Sequence, residues 1–171
     1  MADQSQNRGS GIVRAIAFRP TDSDPMREIE ECRVLVNRGL ELENRPPGKR
    51  SLTLLSRESW IDTCRDLGAD LPWWMRRANL LVEGLDLAAT IGHTVEIGAI
   101  RVYIHDETRP CKLMDEQHEG LRAALKGEFR GGVFGQVLNE GIIRIGDEIR
   151  LTISGNGDAA KAAETPPTDS P

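Results

Sequence analysis

Apolar and polar positions alternate along most of this chain with the two-residue period of half-buried strands. The pattern runs through Ile12–Ala17, Cys32-Arg33-Val34-Leu35-Val36 and Ser51-Leu52-Thr53-Leu54-Leu55, stretches rich in the aliphatic side chains that pack well on a pleated surface. It resumes at Asn79–Glu83, Thr94–Ile97, Ile100–Ile104, Val133–Leu138 and Ile142–Ile153, with glycines at 92, 98, 132, 141 and 146 between the runs. Short strands punctuated by glycine predict a mostly β, barrel-like domain. Two segments carry a helical period instead. Ser56 can cap a helix that places Trp60, Cys64 and Leu67 on one face and stops at Gly68, and a second helix is expected over residues 113–126, each with its own start or stop signal. Neither alternates regularly with parallel strands, which disfavours a doubly wound α/β fold.

The length of 171 residues suits one compact domain. Residues 1–10 are small and polar, and residues 154–171 have a composition that cannot bury apolar surface, so both ends are expected to be disordered around a domain spanning 11–153. Within the domain, Asn44-Arg45-Pro46-Pro47-Gly48-Lys49 is a clear loop signal. Aromatic residues make up only 4%, so the core should be aliphatic. The formal net charge of -5 removes the broad electrostatic reason to expect nucleic acid or an anionic membrane as partner. Any anion site must therefore be local. No apolar run approaches the roughly 20 residues that span a bilayer, and the start lacks a secretory signal pattern, so the expected location is cytoplasmic. Three cysteines without C-x-x-C spacing argue against a disulfide framework and a cysteine-rich zinc site.

Chemistry concentrates at a few places. Cys111 lies in Thr108-Arg109-Pro110-Cys111-Lys112, after an alternating strand and before the second helix. Proline suits the first helical position, so the thiol is expected in the first turn, where free amide N–H groups and the helix dipole favour a thiolate. Such a thiolate could ligate a soft metal, carry persulfide sulfur or attack an electrophile; a small free cysteine also commonly just fills space under a turn. Cys64 and Cys32 read as core residues. Arg76-Arg77-Ala78-Asn79 and Lys49-Arg50, each at a strand entrance, could hold phosphate oxygens or could be solvated charges. Arg130-Gly131-Gly132-Val133-Phe134-Gly135 follows a helix and opens a strand, the reverse of a phosphate-binding loop, and reads as a tight turn. His93, His105 and His118 show no close spacing that would join Cys111 around zinc.

At these residues the chain resembles the MOSC family, the module named after the C-terminal part of molybdenum cofactor sulfurases. The resemblance covers nearly all of 11–153. It is carried by R-G-L-E-L-E-N, R-S-L-T-L-L-S, R-A-N-L-L-V-E-G-L-D-L, I-G-H-T-V-E-I-G-A-I-R-V-Y-I, T-R-P-C and R-G-G-V-F-G-Q-V-L-N-E-G-I-I-R-I-G-D-E-I, in that order. It implies a MOSC β-barrel with a few short helices that binds molybdenum cofactor, a pterin bearing a dithiolene and a phosphate. By the same resemblance Cys111 is the catalytic residue and the molybdenum ligand, while Arg50, Arg77, Asn79, Thr108 and Arg109 are the cofactor-binding set. One departure stands out: the family often has G-L-E-G-D where this chain reads Gly39-Leu40-Glu41-Leu42-Glu43.

The resemblance implies a molybdenum-dependent oxidoreductase that reduces an N-hydroxylated small-molecule substrate. A sulfur carrier using a persulfide on Cys111, and a non-catalytic cofactor-binding module, are the alternatives. No lysine sits in a recognisable Schiff-base context, so no pyridoxal phosphate is expected in this chain alone, and electrons or sulfur would have to come from an external donor protein.

Overall fold

A computed structural model describes residues 9–152 of the chain. Fourteen strands and α-helices occur in the order β1 (Ser10–Phe18), β2 (Arg27–Ile29), β3 (Glu31–Leu35), β4 (Gly39–Leu40), β5 (Leu52–Ser56), α1 (Arg57–Leu67), β6 (Leu80–Glu83), β7 (Thr94–Ile97), β8 (Ile100–Glu107), α2 (Lys112–Gln117), α3 (Leu121–Ala124), β9 (Val133–Val137), β10 (Gly141–Arg144) and β11 (Glu148–Thr152). Ser10 already belongs to β1, and the remaining positions expected to be disordered lie outside the described residues apart from Gly9.

Seven strands form a closed barrel. The sheet runs β11-β7-β8-β9-β5-β6-β1, and pairing of β1 with β11 shuts it, with β2 continuing on β1. Closure removes the exposed edges that would invite pairing with another chain. The β5–β6 pair is parallel, Leu54 opposite Leu80, which requires a crossover, and α1 supplies it. Ser56 caps α1 by accepting from the Ser59 amide at 3.2 Å, and Gly68 ends it in the left-handed conformation at φ 64°, the conformation in which glycine costs least. A smaller sheet, β10-β3-β4, stands beside the barrel.

Alternation along the strands divides the side chains between two cores. Leu52, Leu54, Leu80, Val82, Val102 and Ile104 fill the barrel interior. Their outward neighbours Ala17, Leu55 and Leu81 pack against Trp60, Trp73, Met114, Leu121 and Leu125 from the helical side. β5 is consequently buried on both faces. The interior is aliphatic apart from Phe18, whereas the outer cluster draws in all three tryptophans, Trp60 and Trp73 buried within it and Trp74 packed against it.

Two element boundaries differ from the sequence expectation. The helix expected over 113–126 is broken in two: His118 is extended and Gly120 is left-handed at φ 86°. Met114 and Leu121 still face the same outer cluster, so their apolar spacing reads through a break that residue type alone conceals. The apolar run at 142–153 is also two strands, turned at Gly146 (φ 95°), so that β10 pairs with β3 and β11 returns to close the barrel.

Candidate functional site: an arginine-lined cavity beside Cys111

A cavity of about 710 Å³ lies against the outer wall of the barrel, within the size range of small-molecule sites. Thr53 of β5 is part of its floor. Around it stand seven cations, Arg19, Arg45, Lys49, Arg50, Arg76, Arg77 and Arg109, and one carboxylate, Asp22. In a chain of net charge -5 this is a strong local reversal of sign. The loop at 44–49, the turn before β6 and the segment after β8 each contribute, so the cluster is assembled from residues distant in sequence.

Cys111 is on this wall and is exposed. It occupies the N-cap of α2 in extended conformation (φ -118°, ψ 175°), without a side-chain capping bond, and Pro110 precedes the helix. This corrects the expectation of a thiol inside the first helical turn. With α2 only six residues long, its dipole is a small influence. Two guanidinium groups stand near it. The charge of Cys111 acts favourably on both Arg50 and Arg76.

Arg76 and Arg77 are adjacent in sequence and do different jobs. Arg76 is only 6% exposed. Its Nε donates to the Gly131 carbonyl at 3.0 Å and its Nη2 to the Thr108 carbonyl at 3.0 Å, and Nη1 approaches the Met114 sulfur at 3.9 Å. It thereby staples the segment after β8, the turn before β9 and α2 into one wall. Burial, followed by the like charge of Arg50, pushes its pKa down to about 10. Arg77 instead sits in left-handed backbone conformation at φ 63°, which costs a non-glycine residue energy and is concentrated at functional sites. Its guanidinium meets no hydrogen-bonding or ion-pairing partner among the described residues.

The remaining walls carry further cationic and polar groups. Arg50 is exposed at the mouth, with its guanidinium 5.6 Å from the centroid of the Phe134 ring. Desolvation and then Arg45 hold its pKa below the ordinary arginine value. Thr108 is 5% exposed, and its Oγ1 has no hydrogen-bond partner among the described residues; such a buried orphan normally costs about 1–3 kcal/mol. Arg109 is exposed and paired with Glu107 at 3.3 Å. Gly131 and Gly132 are required by close packing: a Cβ on Gly131 would collide with the Thr108 carbonyl and one on Gly132 with the Leu54 carbonyl. The glycine cluster is thus a tight turn that lets two backbones approach.

Of the residues singled out in the sequence, Arg50, Arg77, Thr108, Arg109 and Cys111 share the cavity wall, and Asn79 does not. Asn79 is fully buried behind it. Its Oδ1 accepts from the Thr53 amide and the Thr53 hydroxyl, both at 3.1 Å, and its Nδ2 donates to the Ala17 carbonyl at 3.3 Å and to Glu43. With every donor and acceptor committed to the protein, Asn79 clasps β1, β5 and the 43–45 segment together and has nothing left for a ligand. Arg19 and Arg45 are cavity residues that the sequence reading missed. Arg19 carries a usable signal, since it continues the outward positions Ala15 and Ala17 one step past β1.

Comparison with known proteins follows the same lines. Residues 35–150 match the model of the MOSC domain, more than half of the chain. The protein belongs to the MOSC domain family. The solved structure of the YUAD protein from Bacillus subtilis superposes with a TM-score of 0.68 at 17% identity, over 83% of this MOSC chain and 95% of that one. YiiM from Geobacillus stearothermophilus gives 0.64 at 16% identity over 89% and 77% of the two chains, and YiiM from Escherichia coli 0.66 at 15% over 85% and 70%. These likenesses establish a shared fold. A comparison with curated protein sequences returns no match. Among the described residues, no helix is long and apolar enough to cross a membrane.

Proposed function

We propose that this MOSC domain binds molybdenum cofactor in the cavity, with the metal at Cys111 Sγ. On this reading it is a molybdenum-dependent oxidoreductase acting on an N-hydroxylated small molecule with electrons from a separate donor protein. The observation that carries the reading is the convergence of one exposed thiol, an orphaned buried hydroxyl and several uncompensated guanidinium groups on a single cavity. A soft thiolate suits a soft metal, and guanidinium forks suit phosphate oxygens. Among the described residues no group of three or more His, Cys, Asp or Glu side chains could hold a metal ion. A metal at Cys111 must therefore arrive with donors of its own, as a dithiolene pterin provides.

When bound, the cofactor supplies the two-electron redox chemistry by which an N–O bond is cleaved, with two protons taken up and water and the reduced nitrogen compound released. The chain's residues bind and orient. Cys111 gives the protein-derived ligand, and Arg50 and Arg76 offset the charge of its thiolate. Thr108 Oγ1 is free to bond a polar edge of the pterin, while Arg77, unpartnered on the wall, holds phosphate oxygens. Arg76 keeps the carbonyls of Thr108 and Gly131 in register along the wall that carries the thiol. Charge-assisted contacts of this kind are worth roughly 1.5–3 kcal/mol, or about ten- to a hundredfold in affinity.

The test is to produce the protein in a host that makes the cofactor. Molybdenum per chain and reduction of an N-hydroxylated base with a supplied donor are then measured for wild type, Cys111→Ser and Arg77→Ala. The expected result is metal and activity in the wild type, both abolished by Cys111→Ser, with metal retention weakened ten- to a hundredfold by Arg77→Ala. The exposure of Cys111 also favours a second reading, a persulfide carrier, because a donor must reach the sulfur. Wild type that holds no molybdenum yet accepts and passes on sulfur at Cys111 would establish that reading instead, and bound molybdenum with no turnover would leave a cofactor-binding module.

A further inference from the structure

The antiparallel pairing of β1 and β6, in which Ile16 faces Leu80, runs on to the Ala17 amide, which bonds the Asn79 carbonyl at 2.8 Å; just beyond it, Arg19 follows β1 and Arg77 closes the turn that precedes β6, and the two guanidinium charges act on one another. Both line the cavity. Thr108 and Cys111 leave β8, and β9 and β5 intervene between β8 and β6 in the barrel order. Three strand steps of about 4.8 Å make an arc of roughly 14 Å from one flank of the cavity to the other. The thiol and the Arg19–Arg77 pair are thus separate poles of one elongated site. Cys111 acts on Arg50 and Arg76 and is not among the charges acting on Arg19, which are Arg77, Asp22, Arg45 and Glu43; Arg45 stands between the poles and acts on Arg50 as well.

We propose that Arg19 and Arg77 form a phosphate-binding pincer at the pole of the cavity remote from Cys111, and that Asp22 occupies it as an internal counterion which the incoming phosphate displaces. Arg19 is buried along its length, with 14% of its side chain exposed, and its Nη2 lies 3.3 Å from Asp22 Oδ1. Its Nη1 also donates to the Asp22 carbonyl at 3.0 Å. Asp22 is 97% exposed, so its hold on Arg19 is weak and solvent-screened. Arg45, the third guanidinium of this pole, is committed to buried Glu43 at 3.1 Å, which leaves Arg19 and Arg77 to bind. A dianionic phosphate monoester satisfies two forks at once, which one aspartate carboxylate cannot. Arg19 precedes residues 35–150 that match the family model, so this half of the pincer comes from outside the matched span.

The inference deepens the cofactor-binding reading of the same cavity by assigning the phosphate end, and its test needs no molybdenum. Inorganic phosphate is titrated into the full chain by calorimetry at low ionic strength. Arg19→Gln, Arg19→Lys, Asp22→Asn and Cys111→Ser are compared with wild type, and Arg150→Gln, a substitution at a surface cation paired with Glu96 on the barrel wall, controls for general loss of charge. Wild type is expected to bind one phosphate. Arg19→Gln should weaken it by roughly ten- to a hundredfold, and Arg19→Lys, which keeps the charge but loses the fork, should fall between. Asp22→Asn should tighten binding by roughly two- to fivefold, the scale of an exposed ion pair, and cannot fail for want of folding, because its side chain is in solvent. Cys111→Ser and Arg150→Gln should change nothing. Absence of saturable phosphate binding in the wild type, equal losses in Arg19→Gln and Arg150→Gln, or weakening by Asp22→Asn would overturn the pincer. Failure of molybdenum to bind at Cys111 would leave these titrations unaffected, so the two readings fail separately.

Discussion

Replacing Asn79 separates two roles that the same residue could have, cofactor contact or internal clasp, because the two predict losses in different measurements. The clasp makes four side-chain hydrogen bonds in complete burial. Asn79→Ala strips the Thr53 amide of its Oδ1 acceptor and leaves Glu43, whose side chain is 3% exposed, with Arg45 as its remaining side-chain partner. Each buried group left unsatisfied costs about 1–3 kcal/mol, and removal of one partner from a buried charged network costs about 3–5 kcal/mol. The sum overlaps because the groups touch, so the expected loss is about 3–5 kcal/mol in total. Against a typical stability of 5–15 kcal/mol, that is a large fraction of the whole.

Asn79→Asp sharpens the test. It preserves shape and the acceptor facing Thr53 but turns the donor that faces Ala17 and Glu43 into a second carboxylate oxygen. Its penalty should therefore grow as pH rises and both carboxylates ionise. Urea unfolding at several pH values measures the stability, and phosphate titration measures the cavity. The clasp reading requires a stability loss of several kcal/mol in Asn79→Ala. Unfolding midpoints within about 1 kcal/mol of wild type, accompanied by lost ligand binding, would refute the reasoning and return Asn79 to the cavity.

Alkylation followed by mass spectrometry should label Cys111 first, then Cys64, with Cys32 labelled only on unfolding, following their exposure and the burial that raises the Cys32 pKa; equal rates would contradict the structure. Glu43 has its pKa raised by desolvation, opposed by Arg45, Asn79 and Arg19. An acid whose folded pKa is raised contributes stability below its unfolded pKa and loses it as pH rises through the folded one. Wild type should therefore lose stability relative to Glu43→Gln on going from acid to neutral pH in thermal melts. Gly132→Ala should destabilise by about 2 kcal/mol or more, since φ is 90° and the added Cβ meets the Leu54 carbonyl; unchanged urea unfolding would show that the turn can shift.

The strand pattern was legible because both faces of this barrel carry chemistry that alternation records. Leu52 and Leu54 point in, Thr53 and Leu55 point out, and only the outer pair distinguishes cavity floor from helix-packing surface. The break between α2 and α3 was not legible, because Met114, Leu121 and Leu125 keep a helical spacing across Gly120, and a single glycine inside a helical pattern is usually tolerated. Asn79 was misplaced for a related reason. Its motif neighbours Arg76, Arg77 and Ala78 do line the cavity, but the Asn79 side chain is taken up by Thr53, Ala17 and Glu43, and a short polar side chain next to a wall can serve the wall as readily as the ligand. Nor does local sequence show that Arg19 and Arg77 line one cavity, since 58 positions separate them and the pairing of β1 with β6 is what brings their segments together.

The energetics of Arg76 tie the fold to the proposed use of the cavity. Its pKa, pushed down to about 10 and well below the ordinary arginine value, corresponds to a cost on the order of 3 kcal/mol for keeping the charge folded. Two charge-assisted hydrogen bonds to backbone carbonyls offset that cost, and a neutral isostere could have closed the wall with less burial penalty. What a neutral wall could not do is hold positive potential beside Cys111 before any ligand arrives. The same holds for Arg77, which spends backbone strain to stand unpartnered, and for Thr108, whose buried hydroxyl goes without a bond. Three separate local costs that share one cavity are economical only if an anionic ligand recovers them together. Full occupancy should therefore raise the melting temperature more than the phosphate pole alone can. Inorganic phosphate fills one pole, and only a ligand that also reaches Thr108 and Cys111 relieves the other.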